Sequence, residues 1–361
     1  MHSHPDMNPW MVGAVTTRRG GRVVVPRAFA PLAPCLPYRR AEGQHPPAAG
    51  AASEIQRSGW SVVLGERGLG DSLLALGLLN GLLDGTSMGD EAHYTGPRPR
   101  LMQRCRLPLA TEFSEGPHIV HSTGNRDDVV FRAVPEDPKP WLDLLDTTNV
   151  EVHDALPMRY YLEVEQRLGI RLPADRSPLP SFASGQQVRR FHVVFITATS
   201  WPTRKDYNWG RFAHFASLLT ARLSVPWSFT LITGKDPEPA PCGDIDVLAG
   251  IDAVDCLDVF ASAEVVIGND TGLTHLAALT ERSDGTAPQV VGLYGRHSHT
   301  KWTTGRSNHH AIATPFSQML AAADRCPVRD QLDDALWSDE GLGQIPETLI
   351  ADFIGSVAGW W

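Results

Sequence analysis

Residues 265–278, VVIGNDTGLTHLAA, decide the fold of this chain. The apolar residues before Gly268 are typical of a buried strand, and Asn269 and Asp270 continue a turn that ends it. The apolar spacing over residues 271–279 then predicts a helix. A strand that turns sharply into a helix directs several free backbone N–H groups and the positive end of the helix dipole towards one point. The stretch therefore predicts an anion site.

Asp270 gives this anion site a second property. A carboxylate repels phosphate but accepts hydrogen bonds from sugar hydroxyls, whereas the N–H groups of Thr271, Gly272 and Leu273 suit a pyrophosphate. The combination predicts a binding site for a nucleotide-sugar donor. The alternative is an ordinary strand, turn and helix in which Asp270 only caps the helix.

Residues 270–278, DTGLTHLAA, resemble the Asp-Thr-Gly-x-x-His-x-x-Ala signature of glycosyltransferase family 9, the heptosyltransferases. The strand over residues 289–295 is similar to the next strand of that family, and the resemblance runs over about residues 59–357. It implies an α/β fold of the GT-B type, with two Rossmann-like doubly wound domains and a cleft between them. It also implies that His275 belongs to the donor site, where it contacts a phosphate or braces the loop.

The alternation of strands and helices along the chain predicts parallel sheets with helices on both faces. The predicted strands are residues 60–64, 118–120, 129–131, 191–196, 227–232, 246–248, 263–267 and 289–295, with a further short strand at 21–25. The predicted helices are residues 72–83, 159–168, 210–223, 256–263, 271–279 and 346–357.

Four segments follow from this pattern. Residues 1–58, rich in Pro, Gly and Ala, are expected to form an irregular N-terminal extension that packs on the first domain. We expect an N-terminal acceptor-binding domain over residues 59–180 and a C-terminal nucleotide-sugar-binding domain over residues 190–345. Residues 346–361 are predicted to hold a helix that packs back towards the first domain.

A glycine-rich turn, residues 65–71 with the sequence GERGLGD, lies between the first predicted strand and helix. Ligands of open α/β sheets bind beyond the carboxyl ends of strands, where Asp71 lies. The family resemblance implies that Asp71 is the catalytic base, which takes the proton of an acceptor hydroxyl. The alternative for Asp71 is a helix N-cap. We expect Gly68 and Gly70 to bind the acceptor, since glycines let a ligand approach the backbone. Glu66 is also expected to bind the acceptor, and it is the alternative to Asp71 as the base.

The loop over residues 197–209, TATSWPTRKDYNW, is expected to hold the leaving diphosphate. Negative charge grows on that group during transfer, and a cation must stabilise it. The family pattern has a basic residue just before the tryptophan, where this chain has tyrosine and asparagine, so Arg204 and Lys205 are the alternatives. We expect Thr199 to contribute a hydroxyl to the donor site and Gly234 to lie near the nucleotide base.

Residues 295–302, GRHSHTKW, are more basic than the Gly-Pro-Thr type of segment that the family has at this place. We expect them either to add donor contacts or to face a distinctive acceptor. His309 and His310 have no carboxylate or cysteine partner at metal spacing. We therefore predict no metal site, and no cofactor beyond the nucleotide-sugar co-substrate.

The composition narrows the class of protein. The chain has 361 residues, 42% hydrophobic and 20% charged, which is long enough for two α/β domains and unlike a disordered chain. Its net charge of −9 argues against nucleic acid as a partner. Five scattered cysteines fit reduced thiols better than a disulfide framework. Lacking an apolar run of membrane-spanning length and a secretory pattern at its start, the chain is expected to be cytoplasmic, with no stable membrane insertion.

The charge of the first predicted domain bears on the acceptor. Residues 59–180 hold 12 basic and 18 acidic side chains, which would repel an anionic lipopolysaccharide. We therefore expect a small soluble acceptor, such as an aminocyclitol or aminoglycoside intermediate of antibiotic biosynthesis. The alternative acceptor is a lipopolysaccharide core or another envelope glycan, for which Arg98, Arg100, Arg104 and Arg106 form a local basic cluster.

Together these features predict an enzyme. It is an inverting, metal-independent glycosyltransferase that moves a sugar, heptose by the resemblance, from a nucleotide-diphosphate sugar to an acceptor hydroxyl. Asp71 takes the proton of that hydroxyl as the new C–O bond forms. A nucleotide-sugar epimerase and a non-enzymatic nucleotide-sugar-binding protein are the alternatives from other classes.

Overall fold

The structure of the protein is a computed structural model. It describes residues 10–16, 22–26, 60–63, 68–85, 92–107, 113–116, 119–122, 129–132, 155–168, 178–200, 202–235, 244–323 and 341–361.

The strands, numbered along the chain, are β1 Trp10–Thr16, β2 Arg22–Pro26, β3 Trp60–Val63, β4 Ala92–Thr95, β5 Phe113–Ser114, β6 Ile119–Ser122, β7 Val129–Arg132, β8 Phe182–Ala183, β9 His192–Ile196, β10 Ser228–Thr233, β11 Ile245–Ala249, β12 Val265–Asn269, β13 Thr280–Glu281, β14 Gln289–Tyr294 and β15 His309–Ala313. The helices are α1 Leu69–Gly85, α2 Pro99–Met102, α3 Leu156–Leu168, α4 Pro202–Lys205, α5 Trp209–Arg222, α6 Ala253–Ser262, α7 Gly272–Leu279, α8 Pro315–Ala323 and α9 Glu347–Ala358.

An eight-stranded sheet forms the larger of two α/β units, with the strand order β1-β2-β15-β14-β12-β9-β10-β11. Its strands from β2 to β11 pair in parallel, as expected for strands joined by helical crossovers. β1 pairs with β2 in the antiparallel direction at one edge. The central strands are buried on both faces, in line with the apolar runs VVFI in β9 and VVI in β12.

Alternate residues of these central strands pack on opposite faces of the sheet. In β12, Val265 and Ile267 belong to a core with the helices α5 and α9, through residues such as Phe215. Val266 belongs to a second core with α6 and α7, and this core continues to Leu73 of α1. The larger sheet is therefore covered on both faces, and one of its cores extends into the other α/β unit.

A five-stranded sheet forms the smaller unit, with the strand order β5-β4-β6-β3-β7. β3 pairs in parallel with β7, whereas β6 runs antiparallel to both β3 and β4. The α1 helix packs closely on α3, because a Cβ added to Gly77 would lie 2.4 Å from the backbone oxygen of Pro157. The two α/β units confirm the fold class that the sequence predicts, with a mixed rather than fully parallel sheet in the smaller unit.

The two ends of the chain differ from their expected placement. β2 pairs with β15, so residues 22–26 extend the larger sheet instead of packing irregularly on the first domain. The last helix, α9, packs on α5 and against β14 and β1 of the larger sheet, rather than towards the first domain. Both results have the same cause: the apolar side chains of these segments complete the core on one face of the larger sheet. The boundaries of the other predicted segments stay predictions.

Three short hydrogen-bonded segments join the two units. β8 pairs in parallel with β13 of the larger unit. On its other side, Arg106 N donates to Ser181 O at 2.8 Å, and Ala183 N donates to Arg104 O at 2.8 Å. β8 therefore lies between residues 104–106 and β13.

Three arginines of the predicted basic cluster make ion pairs across this junction. Arg104 Nη2 lies 3.0 Å from Asp258 Oδ1, and Arg106 Nη1 lies 2.6 Å from Glu281 Oε1. Arg100 Nη2 lies 3.6 Å from Asp255 Oδ1. These side chains bind acidic residues of the larger unit, so they do not form an unoccupied basic surface for an anionic acceptor.

Arg104 tests how much this junction stabilises the fold. Its Nε also donates to Ala183 O at 2.7 Å, so Arg104→Met removes two hydrogen bonds and leaves the aliphatic stem. We expect the free energy of unfolding, measured with urea, to fall by about 1–2 kcal/mol. Arg100→Met is the matched control, because its pair with Asp255 is 68% and 60% exposed. A change below about 0.5 kcal/mol is expected there, and equal effects of the two variants would contradict the assignment.

Candidate functional site

The carboxyl ends of β9, β10, β12 and β14 lie side by side in the larger sheet. Loops after such strand ends are the usual ligand sites of open α/β sheets. The turn after β12 is held on both sides. Thr274 Oγ1 donates to Asn269 O at 2.6 Å, and Asn269 Oδ1 accepts from Tyr207 N at 3.0 Å. Asp270 follows directly and begins the path from β12 to α7.

Asp270 is a buried carboxylate with two donors on one oxygen. Its Oδ2 lies 3.1 Å from Lys205 Nζ and 2.8 Å from His297 Nδ1, which carries the proton because a carboxylate oxygen only accepts. Burial opposes ionisation, but Lys205 and the His297 hydrogen bond outweigh it and hold the pKa of Asp270 well below its usual range. Asp270 is therefore ionised at neutral pH.

The N-cap residue of α7 is Thr271, and its side chain makes no capping hydrogen bond. The carboxylate of Asp270 points to Lys205 and His297. Asp270 is therefore not the N-cap of α7.

The two cations that the sequence left open differ in what the structure describes. Lys205 ends α4 and donates to both the carboxylate and the backbone oxygen of Asp270, at 3.1 and 3.2 Å. The side chain of Arg204 lies outside the described part of the chain, so its role stays a prediction. Lys205 joins the loop after β9 to the turn after β12.

The other residues expected to bind the donor lie at the same edge of the sheet. Thr199 follows β9 and is half-buried, and Thr271 and Leu273 are half-buried at the start of α7. Gly234 follows β10 and is exposed, with no atom within 4 Å of the position of an added Cβ. These positions lie at the same edge of the sheet as Asp270, and binding by each of them stays a prediction.

His297 is the residue of this site that the sequence pattern did not single out. It lies in the loop after β14, in the basic segment 295–302, which was expected to add donor contacts or to face the acceptor. The signal in the sequence was the replacement of the family's usual segment by this basic one. Its contact with Asp270 depends on the adjacency of β12 and β14, which the sequence alone does not show.

His275 is 3% exposed and lies in the first turn of α7. Its Nε2 lies 3.1 Å from Trp302 O, a carbonyl that only accepts, so Nε2 carries the ring proton. Burial lowers the pKa of His275, so the ring is neutral at pH 7 and Nδ1 is an acceptor with no donor among the described residues. The ring N–H of His275 therefore donates to the carbonyl of Trp302, and contact of His275 with a phosphate stays a prediction.

Two glycines bring the first turns of α1 and α7 into contact. A Cβ added to Gly272 would lie 2.4 Å from Gly70 N and 2.7 Å from Leu69 Cβ. A Cβ added to Gly70 would lie 3.2 Å from His275 Nδ1. Gly70 was expected to let an acceptor approach the backbone, but in the structure it lets one helix approach the other.

Asp71 follows Gly70 in the first turn of α1 and is half-buried. Because α1 begins at Leu69, Asp71 lies inside the helix and is not its N-cap. Asp71 is the next residue after Gly70, and Gly70 contacts Gly272 at the start of α7. Asp71 therefore lies close to the helix that follows Asp270. Of the residues expected to bind the acceptor, Gly68 is exposed with open space around it, and Glu66 lies outside the described residues.

In the described ranges, no three His, Cys, Asp or Glu side chains are grouped so that they could hold a metal ion. His309 Nδ1 instead lies 2.9 Å from Thr304 Oγ1, and His310 Nε2 lies 2.8 Å from Gln289 Oε1. No helix in that part of the chain is long and apolar enough to cross a bilayer.

Residues 155–329 match the model of glycosyltransferase family 9 (heptosyltransferase). This segment, just under half of the chain, is similar to glycosyltransferase family 9. It contains Lys205, Asp270, His275 and His297, and therefore most of the site described above. The family confirms the expectation drawn from the DTGLTHLAA signature, and its GT-B fold agrees with the two α/β units of the structure.

Individual relatives are similar over part or most of the chain. Lipopolysaccharide heptosyltransferase 1 of Salmonella typhimurium is 28% identical over 123 residues, which are 31% of this chain and 38% of that protein. Lipopolysaccharide heptosyltransferase II of E. coli aligns with 83% of this chain and 98% of its own, at 12% identity and a TM-score of 0.45. The glycosyltransferase TibC of enterotoxigenic E. coli aligns with 84% of this chain and 78% of its own, at 15% identity and a TM-score of 0.47. The chain thus spans less than half of the Salmonella relative.

The contact between α1 and α7 can be tested at Gly272. Its replacement by alanine forces the first turns of the two helices apart, because the new Cβ would lie 2.4 Å from Gly70 N. We expect Gly272→Ala to lower the free energy of unfolding by about 1–3 kcal/mol, measured with urea. Gly68→Ala, directly before α1, is the matched control, since no atom of the described residues lies within 4 Å of its new Cβ. A Gly272→Ala protein as stable as the Gly68→Ala protein would contradict the contact.

Proposed function

We propose that this protein is a glycosyltransferase of the heptosyltransferase type, which transfers a sugar from a nucleotide-diphosphate donor to an acceptor hydroxyl. The observation that carries the proposal is the contact of Gly70 with Gly272. It brings the expected base, Asp71, next to the helix that follows the expected donor residue, Asp270. A base on one domain and a donor site on the other are the two parts that a direct transfer needs.

The donor is proposed to lie at the start of α7. The N–H groups of Thr271, Gly272 and Leu273 have no partner within their own helix turn, and the helix dipole favours an anion there. Lys205 supplies the positive charge that the leaving diphosphate requires. Asp270 supplies acceptor oxygens for hydroxyl groups of the donor, as its fixed ionised state allows.

Asp71 is proposed to act as the general base. An acceptor hydroxyl is a weak nucleophile, and a carboxylate within hydrogen-bond reach takes its proton as the new C–O bond forms. The bond between the anomeric carbon and the diphosphate breaks in the same step, and its electron pair leaves with the diphosphate. One base and one displacement predict inversion at the anomeric carbon. Product NMR measures this outcome, and retained configuration would contradict the single displacement.

The acceptor is proposed to be a lipopolysaccharide core or a similar envelope glycan. The name of the Salmonella relative supports this choice over the aminocyclitol acceptor. Placement in antibiotic biosynthesis rested on that acceptor and stays without support.

Asp71→Asn separates an enzyme from a nucleotide-sugar-binding protein. The amide keeps the shape of the side chain but cannot take a proton, so we expect kcat to fall about 10²-fold or more while the Kd of the donor changes less than about threefold. Release of nucleoside diphosphate in the presence of a lipopolysaccharide-core acceptor measures kcat, and calorimetry measures Kd.

Asp255→Asn is the matched control, because Asp255 also lies in the first turn of a helix but on the exposed side of α6. Its kcat is expected to equal that of the wild type. Equal turnover in both variants would contradict the role of Asp71. Donor binding by a wild type that never releases diphosphate would favour the non-enzymatic alternative.

A further inference from the structure

The two oxygens of Asp270 have different surroundings. Oδ2 accepts from two donors, Lys205 Nζ at 3.1 Å and His297 Nδ1 at 2.8 Å. Oδ1 faces His275, whose Nε2 is 3.9 Å away and already donates to Trp302 O. Among the described residues, therefore, no hydrogen bond occupies Oδ1.

His297 is itself held in place by the loop after β14. Its backbone oxygen accepts from Ser317 Oγ of α8 at 2.6 Å, and its ring lies 5.9 Å from that of Trp302, measured between centroids. Thr314 Oγ1 anchors the start of the same loop by donating to Gly295 O at 2.7 Å. The loop that carries the imidazole to Asp270 is therefore anchored by hydrogen bonds.

If a donor binds at this site, Lys205 can interact both with Asp270 and with the diphosphate of the donor. It pairs with Asp270 in the structure, and the leaving diphosphate needs a cation. A shift of Lys205 towards the diphosphate would leave the buried carboxylate with less compensation for its lost hydration. The hydrogen bond from His297 remains in that case, because it comes from a different loop.

We propose that His297 is a positioning residue of the donor site: its Nδ1–H holds Oδ2 of Asp270, so that Oδ1 accepts hydrogen bonds from hydroxyl groups of the donor sugar. The inference rests on the proposed function and assigns a role to a residue outside the family signature. Asp270 then recognises the hydroxyl groups of the sugar, whereas Lys205 and the start of α7 bind the diphosphate. Loss of His297 should therefore weaken the sugar part of binding and spare the nucleotide part.

Two substitutions separate positioning from packing. His297→Asn keeps an N–H donor close to the place of Nδ1 but loses most of the ring. His297→Leu keeps most of the side-chain volume but has no donor. If His297 acts by its hydrogen bond, the Asn variant is the better binder, and if it acts by packing against Trp302, the Leu variant is the better one.

The probes are ADP-mannose, GDP-mannose and UDP-glucose with the corresponding free nucleoside diphosphates, titrated by calorimetry into the full chain. We expect His297→Leu to raise the Kd of the bound nucleotide sugar about 10-fold or more, the effect of one hydrogen bond to a charged group. The Kd of the free diphosphate should change less than about threefold, and His297→Asn should stay within about threefold of the wild type for both ligands.

His299 provides the matched control in the same loop. It is buried, its Nδ1 lies 3.4 Å from Ser317 Oγ, and among the described residues it makes no hydrogen bond with Asp270. His299→Asn and His299→Leu should leave the ratio of the two Kd values unchanged. In an Asp270→Ala background, His297→Leu should have no further effect on that ratio, because the oxygen that it holds is gone.

The outcomes are distinct. Wild-type binding of a nucleotide sugar with an unchanged ratio in His297→Leu, or with His297→Leu binding better than His297→Asn, overturns this inference and leaves the proposed function standing. A folded wild type that binds none of the sugars or diphosphates overturns both. A selective loss in His297→Leu that disappears in the Asp270→Ala background supports the positioning role.

Discussion

The buried carboxylate of Asp270 is the constraint on which the rest of the candidate site depends. Removing an ion from water costs several kcal/mol, and the cost is offset only when charge and hydrogen bonds are supplied in good geometry. Lys205 and His297 supply them from two different loops. Three segments that are far apart in the sequence are thereby fixed at one edge of the larger sheet, and any ligand that binds there meets a preset charge pattern.

The junction of the two α/β units sets the position of the proposed base, Asp71. The contact between Gly70 and Gly272 fixes how near the first turn of α1 comes to the donor side, and a side chain at either position would widen that distance. At the other side of the junction, β8 and the arginine ion pairs join the same two units. The position of Asp71 relative to Asp270 is therefore a property of interdomain packing, and not of either domain alone.

Much of this arrangement was predictable from local patterns. The strand, turn and helix around Asp270 follow from apolar periodicity and turn residues, because those signals act over a few neighbouring residues. The contact of His297 with Asp270 was not predictable, because it requires β14 to lie next to β12. For the same reason, the sequence showed a glycine at position 70 but not its partner, and a cluster of arginines but not the acids that bind them. The sequence predicted a strand at residues 21–25, but which sheet edge it joins depends on the position of β15.

The central claim is that the turn after β12 binds a nucleotide-diphosphate sugar. A thermal-shift series with ADP-, GDP- and UDP-sugars and the free nucleotides tests it most directly, since it needs no knowledge of the acceptor. A donor present at 100 times its Kd should stabilise the protein by about 2.7 kcal/mol, and one nucleotide series should do so selectively. A folded protein whose melting temperature is unchanged by every series would contradict the claim.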